Sequence, residues 1–208
     1  MNTATTFTGS AIDWDPTSPG WLFGVERHHS PNHDARPVGM LPELVVIHHI
    51  SLPPNEYGGP GIGALFMNQL DPTAHPYYAE IAGLRVSAHF VIRRHGQLAQ
   101  YVSTEQRAWH AGVSEFLGRT RCNDFSLGIE LEGSDNDPFT DAQYIQLIHL
   151  LRLLQQRYPS LQWIAGHADI APGRKTDPGV YFEWDRVLQA CDFTAPHHVQ
   201  LPHSSSSQ

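Results

Sequence analysis

Short apolar runs that end in histidine or glutamate recur along this chain and constrain its fold most strongly. The run ELVVIHHI (43–50) is rich in β-branched residues and predicts a buried strand. SLGIELEG (126–133) alternates polar and apolar residues and predicts a half-buried strand, while WIAGHA (163–168) predicts a short final strand. Pairing these strands in one open sheet would bring their polar ends close together.

One long helix is predicted between the second and third of these runs. Thr140 followed by Gln143 is a capping box, which satisfies backbone N–H groups at a helix start. Apolar residues then recur at helical spacing to about Arg157. Shorter helices are predicted over 64–70 and 182–190.

The stretch SAHFVIRRHGQLAQYV (87–102) predicts two strands joined by a turn at His95-Gly96. Such a hairpin is antiparallel, whereas strands that alternate with helices are usually parallel. We therefore expect an α/β fold, a single domain with a central mixed sheet flanked by helices, and a site at the strand ends.

The length of 208 residues suits one domain with flanking segments. Residues 1–40 show little periodicity and predict an irregular wrap, with 1–20 forming an N-terminal arm outside the domain proper. The domain is predicted over 21–193, and the polar stretch 194–208 predicts a disordered tail.

Charge and composition restrict the partners of this protein. The formal net charge is −8, and an acidic protein is poorly suited to binding a phosphate backbone. No stretch approaches the roughly 20 apolar residues that span a bilayer, and the N-terminus does not resemble a secretory signal. We expect no nucleic-acid or membrane partner, and free thiols at the two cysteines, Cys122 and Cys191.

Three scattered residues have the chemistry of a catalytic zinc site. His48, His167 and Asp177 would supply two imidazoles and one carboxylate, and catalytic zinc typically has three such protein ligands. No local zinc motif supports them, because the sequence contains neither HExxH nor a CxxC pair. The residues alone leave an alternative open, in which His48 belongs to the core and Asp177 forms a turn with Pro178 and Gly179.

Glu130 is the candidate general base. Period-two alternation places Glu130 and Glu132 on one face of the strand, opposite its apolar side chains. Carboxylates on such a face are commonly solvent-exposed, but one beside a metal would be positioned to take a proton from water.

Four long segments together resemble one family, the cytoplasmic 1,6-anhydro-N-acetylmuramoyl-L-alanine amidases or AmpD family. The likeness covers most of residues 20–190 and is more specific than a likeness to the wider amidase superfamily. The segments are VVIHHISLPPNEYGGP (45–60), DPTAHPYYAEIAGLRVSAHFVIRRHG (71–96), RAWHAGVSEFLGRTRCNDFSLGIELEG (107–133) and GHADIAPGRKTDPG (166–179).

The resemblance implies a zinc amidase and a role for each matching position. It implies one zinc ion held by His48, His167 and Asp177, with Glu130 as the catalytic glutamate and Lys175 as a catalytic cation near the metal. It also implies that the muropeptide is contacted by Arg85, Trp109 and Arg121.

One position departs from the family pattern. An asparagine often follows the first metal ligand in the family, whereas this chain has His49. Strand alternation places adjacent side chains on opposite faces, so only one of the two histidines can point at the metal. The alignment favours His48.

The resemblance implies hydrolysis of the amide between the lactyl group of 1,6-anhydro-N-acetylmuramic acid and L-alanine, in cytoplasmic peptidoglycan recycling. Loops 51–63 and 71–84 are predicted to cover the site. Two alternatives remain: an exported or lytic amidase acting on intact peptidoglycan, and a module that binds peptidoglycan fragments without cleaving them.

Overall fold

The computed structural model describes residues 12–195, so residues 1–11 of the predicted arm and 196–208 of the predicted tail lie outside the described residues. The strands are β1 (Asp13–Trp14), β2 (Leu22–Phe23), β3 (Glu26–Arg27), β4 (His33–Ala35), β5 (Leu44–Ile50), β6 (Phe90–Ile92), β7 (Leu98–Gln100), β8 (Gln106–Ala108), β9 (Glu115–Phe116), β10 (Arg119–Thr120), β11 (Ser126–Glu132) and β12 (Trp163–Gly166). The α-helices are α1 (Gly61–Phe66), α2 (Pro76–Ile81), α3 (Asp141–Arg157), α4 (His167–Ile170) and α5 (Trp184–Ala190).

A six-stranded mixed sheet forms the centre, in the order β12-β5-β11-β6-β7-β3. β5 is parallel to β12 and β11, and β11 is also parallel to β6. The hairpin of β6 and β7 supplies the antiparallel pair. The predicted fold class is confirmed, including the hairpin turn at His95-Gly96.

Helices cover both faces of the sheet. The long helix α3 begins at the predicted capping box of Thr140 and Gln143, and its apolar side packs on one face. Helices α1 and α2 belong to a second apolar cluster that includes Val91 and Ala99 of the hairpin. A third cluster joins Val46 and Ala165 to α4. Burial on both faces explains the nearly continuous apolar character of β5.

The prediction of a half-buried strand over 126–133 is wrong, because every residue of β11 is buried. β11 has parallel neighbours on both sides, and the face that carries its glutamates is covered as well. Glu132 is satisfied there by hydrogen bonds from the backbone N–H groups of Gly58 and Arg94 and from the Arg93 guanidinium. The alternation correctly assigned side chains to the two faces of β11. It could not distinguish a buried, paired carboxylate such as that of Glu132 from a solvated one.

Other boundaries differ from prediction at element ends. The final strand stops at Gly166, and His167 is the first residue of α4 instead of the strand's continuation. The helix predicted over 64–70 lies at Gly61–Phe66. The closing helix over 182–190 is confirmed, starting at Trp184. Both cysteines are buried free thiols, as predicted.

The described part of the segment before β5, residues 12–43, contains more regular structure than the irregular wrap that its composition predicts. Leu22 is fully buried in the main core, and β3 extends the central sheet by pairing with β7. Arg36 is half-buried and donates hydrogen bonds to the carbonyl oxygens of Asn123, Asp124 and Ser126. The hydrogen bonds of Arg36 therefore hold the backbone that leads into β11. The domain boundary at residue 21 stays a prediction.

Within residues 12–195, no helix combines the length and apolar character needed to cross a membrane.

Candidate metal centre and active-site cavity

Three parallel strands place the candidate residues at one edge of the sheet. Glu130 of β11 lies directly beside His48 of β5 in the strand register. His167 follows β12, which pairs with the other side of β5. Because parallel strands end at the same edge, these three residues converge, and the loop after α4 adds Asp177.

The ligand atoms of His48, His167 and Asp177 lie close enough to share one ion. The two Nδ1 atoms are 3.0 Å apart, and Asp177 Oδ2 lies 2.9 Å from His48 Nδ1 and 3.1 Å from His167 Nδ1. All three residues are buried. Two imidazoles and one carboxylate are a common donor set for a catalytic metal, so the cluster is compatible with a metal site.

Hydrogen bonding on the far side of His167 supports this fit. Its Nε2 lies 3.0 Å from the carbonyl oxygen of Ala111, which can only accept, so Nε2 carries the proton. In the neutral ring, Nδ1 then carries a lone pair, which faces a carboxylate oxygen of Asp177. Two acceptors in contact repel each other unless a cation or proton lies between them, and a metal ion would supply that charge.

The ionisation states at the cluster also suit metal binding. Burial lowers the pKa of His48 to about 4, which outweighs its interaction with Asp177, so the imidazole is neutral at neutral pH. Burial alone would raise the pKa of Asp177, but its contacts with His167 and His48 outweigh burial and hold the pKa below the ordinary range. Neutral imidazoles and an ionised carboxylate are the forms that ligate a metal.

Glu130 is buried beside this cluster and lines a cavity of about 460 Å³. Among the described residues its Oε2 has no hydrogen-bond partner. Burial, and then the negative charge of Asp177, raise the pKa of Glu130 well above its ordinary value. A buried carboxylate at a cavity, with a raised pKa, is a suitable group for accepting and returning a proton.

Lys175 also lines the cavity and is exposed to solvent there. Its positive charge acts on both neighbours, since it lowers the pKa of Glu130 and contributes to lowering that of His48. The structure therefore places a cation at the same cavity as the candidate base and the metal cluster.

His49 does not belong to the His48–His167–Asp177 cluster, as strand alternation predicts, although both histidines line the same cavity. Its Nε2 lies 3.0 Å from Asp135 Oδ1, and the other oxygen of Asp135 accepts a hydrogen bond of 2.9 Å from Thr176. Thr176 stands between Lys175 and Asp177. His49, which stands where the family often has asparagine, therefore helps to hold the loop that carries Lys175 and Asp177.

The three residues implied in muropeptide contact have different locations. Trp109 lines the cavity, where its ring can form an apolar wall. Arg85 is exposed between two cavity-lining residues, but it is not itself part of the lining. Arg121 is exposed, pairs with Asp124 at 3.1 Å, and lies outside the lining. Residues from both predicted covering loops, including Pro54 and Tyr77, line the cavity.

Sequence reasoning missed residues that support the cluster without belonging to it. His110 has its Nδ1 3.0 Å from His48 Nε2, and its Nε2 3.1 Å from Ser126 Oγ. Asp135, described above, was also missed. Spacing gave no signal for either, because each acts through partners that are distant in the chain.

The chain belongs to the N-acetylmuramoyl-L-alanine amidase family, whose model matches residues 38–180. That range contains the His48–His167–Asp177 cluster, Glu130 and Lys175. Within the family, the chain is 58% identical over 168 residues to the 1,6-anhydro-N-acetylmuramyl-L-alanine amidase AmpD of Escherichia coli strain K12, covering 80% of this chain and 92% of the relative. The resemblance drawn from the four segments is therefore confirmed.

Solved structures give the same result. A crystal structure of a selenomethionine AmpD derivative superposes with a TM-score of 0.82 at 54% identity, covering 85% of this chain and 98% of the other. The E. coli N-acetylmuramyl-L-alanine amidase AmiD, in complex with the substrate anhydro-N-acetylmuramic acid-L-Ala-D-γ-Glu-L-Lys, superposes with a TM-score of 0.55 at 27% identity. That match covers 88% of this chain and 66% of AmiD.

Proposed function

We propose that this protein hydrolyses the amide between the lactyl group of 1,6-anhydro-N-acetylmuramic acid and L-alanine of muropeptides, using one zinc ion. The observation that carries the proposal is the buried Glu130 carboxylate, whose Oε2 has no hydrogen-bond partner within residues 12–195. It lies beside the His48–His167–Asp177 cluster, in a single cavity. The name of the similar E. coli AmpD and the substrate bound in the AmiD structure support this choice of bond and sugar.

His48, His167 and Asp177 would hold the zinc. When bound, zinc lowers the pKa of a water molecule to about 7 and polarises a carbonyl group. Glu130 takes a proton from the attacking water, whose oxygen bonds to the lactyl carbonyl carbon. As the carbon–nitrogen bond breaks, Glu130 gives that proton to the departing nitrogen, which leaves as the free amine of L-alanine. The other product is the lactyl carboxylic acid.

Lys175 stabilises the negative charge that develops on the carbonyl oxygen during this attack. A preorganised donor aimed at such an oxygen contributes about 3 kcal/mol to the transition state. The side chain also lowers the pKa of Glu130, which favours the ionised form that a base requires. Trp109 forms an apolar wall for the substrate, and Arg85 and Arg121 contact its carboxylates from outside the lining.

Replacement of Lys175 by alanine is expected to lower kcat by about 10²–10³-fold while zinc content stays unchanged, because the cation acts on the transition state. Steady-state kinetics together with atomic spectroscopy of the purified variant measure both quantities. Lys175→Arg, which keeps the positive charge, is the matched control and should retain more activity than the alanine variant. Loss of zinc in Lys175→Ala would show that the lysine is structural.

The proposed activity is tested with three substrates: anhydro-muropeptide, the corresponding muropeptide with a reducing sugar, and intact peptidoglycan. We expect mass spectrometry to detect peptide released from the anhydro-muropeptide, with release abolished by a chelator and restored by zinc. No release in the presence of zinc would favour the non-catalytic binding module. Comparable release from intact peptidoglycan would favour the lytic alternative.

The recycling role and cytoplasmic setting implied by the family resemblance are part of the same proposal. Cell fractionation followed by immunodetection of the protein would test the setting directly.

A further inference from the structure

The adjacent residues His110 and Ala111 contact both histidines of the metal cluster on the sides that face away from it. The His110 ring meets Nε2 of His48, and the carbonyl oxygen of Ala111 meets Nε2 of His167. In each case the contact leaves Nδ1 directed at the cluster. One dipeptide therefore touches the outer nitrogen of both imidazoles.

These contacts determine which nitrogen carries the proton. A neutral imidazole has one N–H and one lone pair, and only the lone pair can bind a metal. The Ala111 carbonyl is a pure acceptor, so it fixes the proton of His167 on Nε2. His48 has no such fixed partner, because the His110 ring that it meets can either donate or accept.

The direction of the His48 contact is linked to the contact that His110 makes with the Ser126 hydroxyl, which can accept or donate. For His48 to present its Nδ1 lone pair, its Nε2–H must donate to Nδ1 of His110. The proton of His110 then lies on its own Nε2, where Ser126 Oγ accepts it at 3.1 Å. The reverse direction would place a proton on His48 Nδ1, between that atom and Asp177, where it would compete with the metal.

The surroundings hold the dipeptide in place for this role. Asn123 Oδ1 accepts hydrogen bonds from the backbone N–H groups of both His110 and Ala111, at 3.2 and 2.8 Å. The His110 ring lies against Gly128, where an added β-carbon would come within 2.5 Å of the ring Cγ. Absence of a side chain at Gly128 thus provides the space that the ring occupies, between the neighbouring positions Ser126 and Glu130 on the same strand face.

We propose that His110 is a positioning residue which, with the Ala111 carbonyl and Ser126, holds both histidine ligands in the tautomer that binds the metal. This inference rests on the proposed zinc site. Partners of this kind raise the basicity of a ligand and fix its ring orientation, and their loss typically costs 10–100-fold in metal affinity.

The test compares two substitutions of nearly the same shape, His110→Asn and His110→Leu. The Asn Oδ1 takes the place of the imidazole Nδ1 and keeps an acceptor for His48, whereas Leu removes it. Zinc affinity is measured by competition with a chromophoric chelator, and the His48 Nε2–H proton is followed by NMR in the zinc-loaded protein. We expect His110→Leu to bind zinc 10–100-fold more weakly and to lose the protected Nε2–H signal. His110→Asn should stay within a few-fold of the original protein and keep the signal.

Equal zinc affinity in the original protein and His110→Leu would overturn the inference. An equal loss in both variants would also overturn it, because it would show a structural role for the ring. If His110→Leu does not fold, Ser126→Ala replaces it and should weaken zinc binding and broaden the Nε2–H signal; unchanged affinity there would contradict the inference. If the original protein binds no zinc, the proposed metal site itself is wrong. The same zinc titration therefore separates failure of the metal site from failure of the role of His110.

Discussion

Replacing Asp177 by alanine is expected to abolish zinc binding and, with it, turnover. Asp177 is the only anionic member of the cluster within the described residues, and its Oδ2 lies about equally close to both imidazoles. The loss should exceed the 10–100-fold that removal of an outer partner costs, because a direct ligand disappears. Zinc content after dialysis and kcat on anhydro-muropeptide measure the result.

Thermal unfolding provides a second readout of the same substitution. Zinc at about 100 times its dissociation constant should stabilise the original protein by about 2.7 kcal/mol, because it binds the folded state. Asp177→Ala should show no such rise in Tm. Stoichiometric zinc or a full thermal shift in this variant would contradict the assignment of Asp177 as a ligand.

His49→Ala is the matched control, because His49 is adjacent to the proposed ligand His48 but contacts Asp135 and lies outside the cluster. We expect this variant to keep its zinc, whereas His48→Ala should lose it. The pair decides between two histidines that the sequence alone cannot separate by residue type. Loss of zinc in His49→Ala with retention in His48→Ala would show that His49, and not His48, is the ligand.

Glu130→Gln is expected to retain zinc and to lose about 10²–10⁴-fold in kcat, which is the usual contribution of a general acid–base group. The amide keeps the shape of the side chain but cannot accept the proton of water. Since the Glu130 Oε2 is buried with no partner in the described part of the chain, replacement should leave the free energy of unfolding at or above its original value. Kinetics, zinc analysis and chemical unfolding of the same preparation measure these effects.

Glu132→Gln is the corresponding control two residues along the same strand face. Its carboxylate accepts hydrogen bonds from Gly58, Arg94 and Arg93, and in the ion pair with Arg93 the glutamate is buried and the arginine half-buried. Weakening that pair should lower stability, while most of the turnover per folded molecule remains. Turnover of Glu130→Gln close to the original value would show that another group is the base.

Local patterns predicted those elements whose signals lie within a few residues. The capping box at Thr140 set the start of α3, and the turn at His95-Gly96 joined the hairpin, as predicted. Element ends were less well predicted: His167 was assigned to a strand but begins α4. Apolar character continues across that junction, so the pattern did not reveal that hydrogen bonding changes from the sheet to the helix.

The environment of Glu130 shows where local pattern stops being informative. Alternation correctly placed it on the face opposite the apolar residues of β11, and the same rule separated His48 from His49. Alternation predicted that this face is open to solvent. In the structure, segments distant in sequence cover the face, and the burial of Glu130 raises its pKa. Burial depends on which segments pack together, and side-chain alternation carries no information about that.

The sequence by itself indicated β5, β6, β7, β11 and β12, the long helix and the family resemblance, and it supplied the candidate site residues. Only the tertiary structure decided that His48, His167 and Asp177 meet, across separations of 119 and 129 residues. It also decided that His110, Ala111 and Ser126 lie behind the two imidazoles. Secondary structure follows from short-range periodicity, whereas hydrogen-bond partners, and with them tautomers and pKa values, depend on atoms that come together only when the sheet has formed.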